Sequence, residues 1–224
     1  MAKIKSLEEM FKLIHGKFDK DIWKKAYSYL DQYHPWSLLK KKELSKDASP
    51  RPLNSLTPVE RTAEKNFLVD SGIMLELGSH WGRFCFYKAS NYKMKIIGTD
   101  ASKIAVDTVN SWNRENLKLD IDFKVMLAED IEFDDNFFDV VYAFETLEHV
   151  GDLDRSLKEI SRVLKPSSPL IFSLPLLDYA DGGCHTQKHP LDFWENKFAQ
   201  YFMIDKIIHE IENHIIVGRV LKDK

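Results

Sequence analysis

Cysteine is nearly absent from this chain of 224 residues. Cys85 and Cys184 are too few for a disulfide framework, and no Cys-x-x-Cys pair exists to hold zinc. Such usage fits a reducing compartment. No run approaches the ~20 consecutive apolar residues of a helical bilayer span, and the opening Met1-Ala2-Lys3-Ile4-Lys5-Ser6 lacks the apolar core of a signal peptide. A soluble, cytoplasmic protein is expected, without a membrane span. A basic excess is missing as well. The formal net charge is −3, whereas proteins that bind polyanions carry surplus Lys and Arg, so nucleic acid is not an expected partner. The balance is uneven: residues 1–51 hold 12 Lys+Arg against 7 Asp+Glu, or +5, which leaves −8 for residues 52–224. Solvated helix faces explain such a stretch, and an acidic partner or membrane surface is the alternative. Neither an internal repeat nor a low-complexity tract is present.

What is present is apolar sequence with alternating periods. The 44% hydrophobic content is enough to bury a full α/β core. Residues 1–68 read as a helical N-terminal extension with a Pro-containing linker, a lid or flank, and residues 69–224 as the main domain. In the extension, residues 7–18 and 21–33 carry apolar positions at helical spacing. Residues 34–58 contain His34-Pro35, Ser49-Pro50-Arg51-Pro52 and Thr57-Pro58, which block regular helix. A helix resumes at 59–67. From Ile73 the pattern predicts strand 73–77, helix 81–90, strand 94–98, helix 102–113, strand 122–126, an acidic loop, strand 138–143, helix 153–164 and strand 169–174. This alternation implies a doubly wound α/β fold with a mostly parallel sheet. Residues 206–211 and 214–221 break it, as an antiparallel C-terminal hairpin closing the sheet edge.

Chemistry is written first at residues 73–84. An apolar strand ends at Glu76-Leu77-Gly78, and Gly78 and Gly82 frame a turn before the next helix. Glycine lets backbone come close to a ligand, and a helix N-terminus offers unpaired N–H groups. The second strand ends at Thr99-Asp100, about 20 residues on, where a ribose hydroxyl would need an acceptor. A pyrophosphate-binding Gly-x-Gly-x-x-Gly turn would need glycines where His80 and Arg83 stand, so a dinucleotide is disfavoured.

Glu76-x-Gly78-x-x-x-Gly82 followed by Asp100 resembles the first motifs of the class I S-adenosylmethionine-dependent methyltransferases. The likeness continues through Ala128-Glu129-Asp130 to Phe138-Asp139-Val140-Val141, then Leu147-Glu148-His149-Val150 and Leu157 to Pro166, covering residues 70–175. It points to the small-molecule branch of that family. The resemblance implies S-adenosyl-L-methionine as cofactor. Glu76, Gly78, Ser79, His80 and Gly82 would lie along the loop under its amino acid end, Asp100 on the ribose and Ala101 beside the adenine. Ala128 or Glu129 would hold the adenine amino group, and Phe144, through its backbone, would lie near the methionine amino group. His80 replaces the family's middle glycine, Leu127 a common adenine-binding acid, and Ser167-Ser168 a Gly-Gly turn. For Asp100 the competing role is a helix N-cap, and for Glu76 satisfaction of loop N–H groups.

His149 is the candidate catalytic residue. A hydroxyl nucleophile needs its proton removed, and an imidazole titrating near neutrality suits that task; a purely structural bond to backbone is the alternative. The segment 181–194 follows the fifth strand, where His185 and His189 are candidate substrate contacts, with ordinary loop polarity as the competing reading. Cys184, His185 and His189 lack a fourth ligand, so no metal is expected. Phe193, Trp194 and Phe198 read as core packing. The expected activity is methyl transfer to a small polar acceptor, an oxygen of a sugar or other metabolite, ahead of an amine, carboxylate, quinone or lipid. A nicotinamide-dependent oxidoreductase and a non-catalytic binding partner on the same fold are the rival classes.

Overall fold

The computed structural model describes residues 56–176, 185, 187 and 189–221. The patterns at 7–18 and 21–33, nearly all of the linker and Cys184 lie outside these residues. Helix α1, Pro58–Asn66, starts with a reciprocal cap: the Thr57 hydroxyl accepts from Glu60 N, and the Glu60 carboxylate accepts from Thr57 N at 2.6 Å. Thr57-Pro58 is therefore not a break. Pro58 occupies the first helical position, where its missing N–H costs nothing.

The rest alternates as expected: β1 (Ser71–Leu77), α2 (Arg83–Asn91), β2 (Lys93–Asp100), α3 (Lys103–Trp112), β3 (Ile121–Val125), β4 (Val140–Ala143), α4 (Leu153–Val163) and β5 (Pro169–Pro175). α3 runs on into one π turn, Asn113–Leu117, which ends at Lys118 in the left-handed conformation. Then come α5 (Leu191–Phe198), absent from the sequence expectation, and the hairpin strands β6 (Phe202–His209) and β7 (Asn213–Val220). The seven strands lie in the order β3-β2-β1-β4-β5-β7-β6. The first five are mutually parallel, and β7 pairs antiparallel with both β5 and β6. β6 starts four residues before its expected position, and a register shift between Ile204 and Lys206 interrupts its alternation.

Each face of the sheet carries an apolar layer. Leu75, Val141, Leu157, Ile160, Leu170 and Phe172 belong to one, and Met74, Phe84, Phe86, Ile96, Tyr142 and Ile171 to the other. α4 justifies its prediction, since Leu153, Leu157, Ile160 and Val163 are all buried on one stripe. Trp194 and Phe198 are core residues as expected, with the Phe198 ring stacked 4.0 Å from that of Phe172. Two ion pairs fasten α1 to α2. Arg83 forks onto Glu60, and Lys88, fully buried, lies 3.0 Å from Glu64. The sheet order reverses beside β1, between β2 and β4, so a crevice opens at the carboxyl ends of these strands.

Candidate active site

The loop after β1 is closed by its own backbone. Ser79 N donates to Thr99 O at 2.8 Å, and Gly82 N donates to Ser79 O at 2.7 Å. Gly78, His80 and Gly82 all take left-handed backbone angles, with φ of 66°, 47° and 67°. A Cβ at Gly78 would strike the Thr146 side chain, and one at Gly82 would lie 2.6 Å from Phe123 Cζ and 2.8 Å from Val109 Cγ2. These glycines are thus explained by backbone angle and protein packing. Both let the loop seat tightly against its neighbours. His80 bears the cost of a left-handed side chain, and its ring packs edge-on against Trp81 at 4.8 Å.

Asp100 stands at the tip of β2. Its Oδ2 accepts from His80 N at 2.9 Å and its Oδ1 from Ser102 N at 2.8 Å. The N-cap of α3 is Ser102, whose hydroxyl accepts from Ala105 N, so the capping alternative for Asp100 falls away. A carboxylate can accept about four hydrogen bonds, enough to fix the loop and a vicinal diol together. Ala101 sits half-buried beside it. Ser79 Oγ is buried without a hydrogen-bond partner among the described residues. A buried, unpartnered hydroxyl costs about 1–3 kcal/mol, and a ligand with polar atoms at the loop would recover it. Loop, hydroxyl and strand-tip acid therefore fit the nucleoside and amino acid ends of S-adenosylmethionine.

Two other carboxylates face inward. Glu76 Oε2 accepts from Cys85 N at 3.1 Å and from Cys85 Sγ at 2.9 Å, behind the loop, and burial pushes its carboxyl up to about 8. It thus satisfies an N–H in the first turn of α2, not the loop N–H groups of its competing reading. Glu129 Oε1 accepts from Gly151 N at 2.8 Å, tying the acidic loop to the start of α4, and burial raises this carboxyl too. The backbone of Ala128 is left as the adenine-side candidate.

The other wall is the turn after β4. Phe144 O accepts from Thr146 Oγ1 at 2.9 Å, and the same hydroxyl reaches Leu77 O at 3.1 Å, binding this turn to the glycine loop. Glu145 has φ of 47°, held by Glu145 N donating to Ser173 Oγ and that hydroxyl donating back to Glu145 Oε1 at 2.6 Å. A short 3-10 turn, Leu147–His149, follows, with His149 N bonded to Thr146 O. His149 is 38% exposed, its Nε2 is 3.9 Å from Glu148 Oε1, and its ring meets that of His185 edge to face at 4.8 Å. Gln187 ties the incoming segment down: Gln187 N donates to Glu148 O, and its side-chain amide donates to Val150 O.

His149 and His185, 36 positions apart, therefore meet. His189 does not join them. It stacks on Phe193 at 3.7 Å and approaches Gln187 Oε1 at 3.3 Å. Sequence reasoning missed Glu148, which is 2% exposed. Burial, reinforced by the negative charge of Glu145, holds the Glu148 carboxyl well above the usual carboxylate range. Its signal was available: an acid directly before the candidate base, beyond a strand's carboxyl end.

A parallel sheet reversing beside β1, a left-handed loop there and an acid at the tip of β2 define a Rossmann-like domain that holds a nucleoside cofactor. Residues 75–172 match the family described as the methyltransferase domain. The match supports a class I S-adenosylmethionine-dependent methyltransferase domain over that stretch. It is 30% identical over 123 residues to glycine/sarcosine/dimethylglycine N-methyltransferase of Actinopolyspora halophila, covering 53% of this chain and 21% of that protein. It is 31% identical to the ubiquinone biosynthesis O-methyltransferase of Pelagibacter ubique (strain HTCC1062), over 51% of this chain and 52% of that one. The chain thus spans from about a fifth to about half the length of these curated relatives. The PH0226 protein from Pyrococcus horikoshii OT3 shares the fold, with a TM-score of 0.64, 20% identity, and 76% of this chain and 94% of that one covered. Among the described residues no helix is long and apolar enough to cross a membrane.

Proposed function

We propose that this protein transfers the methyl group of S-adenosylmethionine to an oxygen of a small polar metabolite, such as a sugar hydroxyl, in the cytoplasm. The observation that carries this reading is the Thr146 hydroxyl. It joins the glycine loop, with Ser79 and Asp100 behind it, to the turn that presents His149, whose ring meets His185. The cofactor, when bound, supplies an electrophilic methyl group on a sulfonium. The chain's own residues then have three tasks. Asp100 and Ser79 hold the nucleoside and amino acid ends, the turn at 144–150 aligns the acceptor, and His149 takes its proton. Glu148 lies directly beside that imidazole, 3.9 Å from its Nε2.

An amine acceptor is the second reading. The carboxylates of exposed Glu145 and buried Glu148 would suit a cationic substrate, and one of the similar proteins carries the name of an N-methyltransferase. The two readings separate in one assay. The full chain is given S-adenosylmethionine with matched panels of sugar and polyol hydroxyls or of primary and secondary amines, and S-adenosylhomocysteine release is followed. Release with hydroxyls alone supports the first reading, release with amines alone the second. Release with neither panel, together with failure to bind S-adenosylhomocysteine, favours a non-catalytic binding role.

A further inference from the structure

Among the described residues, a single group of three His, Cys, Asp or Glu side chains is close enough to share an ion: Glu148, His149 and His185, whose ligating atoms all lie within 4.8 Å of one another. We propose that they form a site for one divalent first-row transition ion such as Zn²⁺ or Mn²⁺. Two imidazoles and one carboxylate on a single ion leave at least one position open, the donor set of metal sites that act on a substrate.

The geometry is nearly closed. Ligands on such an ion stand roughly 3–3.5 Å apart, given metal–donor distances of about 2.0–2.2 Å. Glu148 Oε1 and His149 Nε2 are 3.9 Å apart, so small rotations of exposed or half-buried rings complete the triangle. The backbone is already fixed around it. His149 is anchored through its N–H to Thr146 O, and Gln187, two residues beyond His185, is bonded at both its backbone and its side chain to residues 148–150. Charge agrees as well. The Glu148 side chain is buried, and a divalent ion would neutralise its carboxylate there.

This inference deepens the proposed methyl transfer and rests on it for the ion's task. An acceptor hydroxyl in the open position would become more acidic and lose its proton to solvent. The oxygen's lone pair would then form the O–CH₃ bond as the C–S bond breaks, its electrons staying on sulfur as the neutral thioether. His149 would act as ligand instead of base, and a chelator tells these roles apart.

The test begins with binding, which does not depend on activity. The full chain is stripped with EDTA, dialysed and titrated calorimetrically with ZnCl₂ or MnCl₂, and Co²⁺ absorption reports the donor set. The expected result is one ion per chain, with affinity lowered about tenfold or more in Glu148→Gln and in His185→Ala. The double variant His209→Ala/His214→Ala removes the exposed imidazole pair on the hairpin, 3.0 Å apart, and should leave that single site intact. S-adenosylhomocysteine binding and melting curves confirm that each variant is folded. Absence of one-to-one binding by the wild type would overturn the proposal, as would loss of binding in the hairpin variant with retention in His185→Ala. If ions bind as expected but methyl transfer persists in EDTA, the ion's catalytic task is refuted and His149 remains the base. If ions bind and no acceptor is methylated, the site stands and the methyl-transfer reading fails.

Discussion

At the end of β1 the chain is held by closeness, and at the end of β4 by charge. The first loop takes three left-handed residues, fills the space beside its glycines with Thr146, Phe123 and Val109, and closes on backbone bonds to Thr99 and Asp100. The second turn carries buried Glu148 beside His149 and His185, with strained Glu145 braced by Ser173. A pocket for a fixed cofactor needs one rigid shape, and packing supplies it. A place where a proton or a cation must be managed needs titratable groups in low dielectric, even though they cost stability.

The largest effect should fall on the charged side. His149→Ala is expected to lower kcat/KM by about 100- to 10,000-fold, the range for a lost general acid or base and, for an ion ligand, a loss of the same direction, with unchanged affinity for S-adenosylhomocysteine. An equal loss of cofactor affinity would erase the division between the two walls. On the packed side, Gly78→Ala should destabilise the fold by about 2–4 kcal/mol, summing a left-handed side chain and the collision with Thr146. Denaturant unfolding would measure it, and Thr146→Ala in the same background should restore part of the loss. No restoration would mean that backbone angle alone requires the glycine.

A pH-dependent effect belongs to Glu76, whose carboxyl is pushed up to about 8 by burial. Between the ordinary carboxylate range, near 4.5, and about 8, the folded chain keeps a proton that the unfolded chain has lost. Stability should therefore be greatest at the acid end of that window, fall as pH rises through it and level off above. Glu76→Gln should flatten this component of the melting-temperature profile between pH 5 and about 8. An identical slope in the variant would move the titration elsewhere.

The contrast also explains what the sequence disclosed. Strand and helix alternation, the hairpin, the glycine loop and Asp100 are legible because they obey periods and spacings, and the burial of Trp194 and Phe198 followed from composition. Helix α5 was missed although Leu191, Trp194 and Phe198 recur at helical spacing, because Pro190 and the polar run before it read as loop. Why the glycines are needed was not legible, since Phe123 and Val109 reach Gly82 only through the tertiary fold. Nor was the meeting of His149 with His185, or the engagement of Glu129 with Gly151, which depend on how the turn after β4 lies against later segments.

Calorimetric titration of the wild type and of Asp100→Ala with S-adenosylhomocysteine tests the central claim, that a nucleoside sits between the glycine loop and the tip of β2. The account predicts clear one-to-one binding by the wild type, weakened by about 1–3 kcal/mol when the carboxylate is removed. Silence from the wild type at millimolar ligand, or equal affinity in the two proteins, would contradict it.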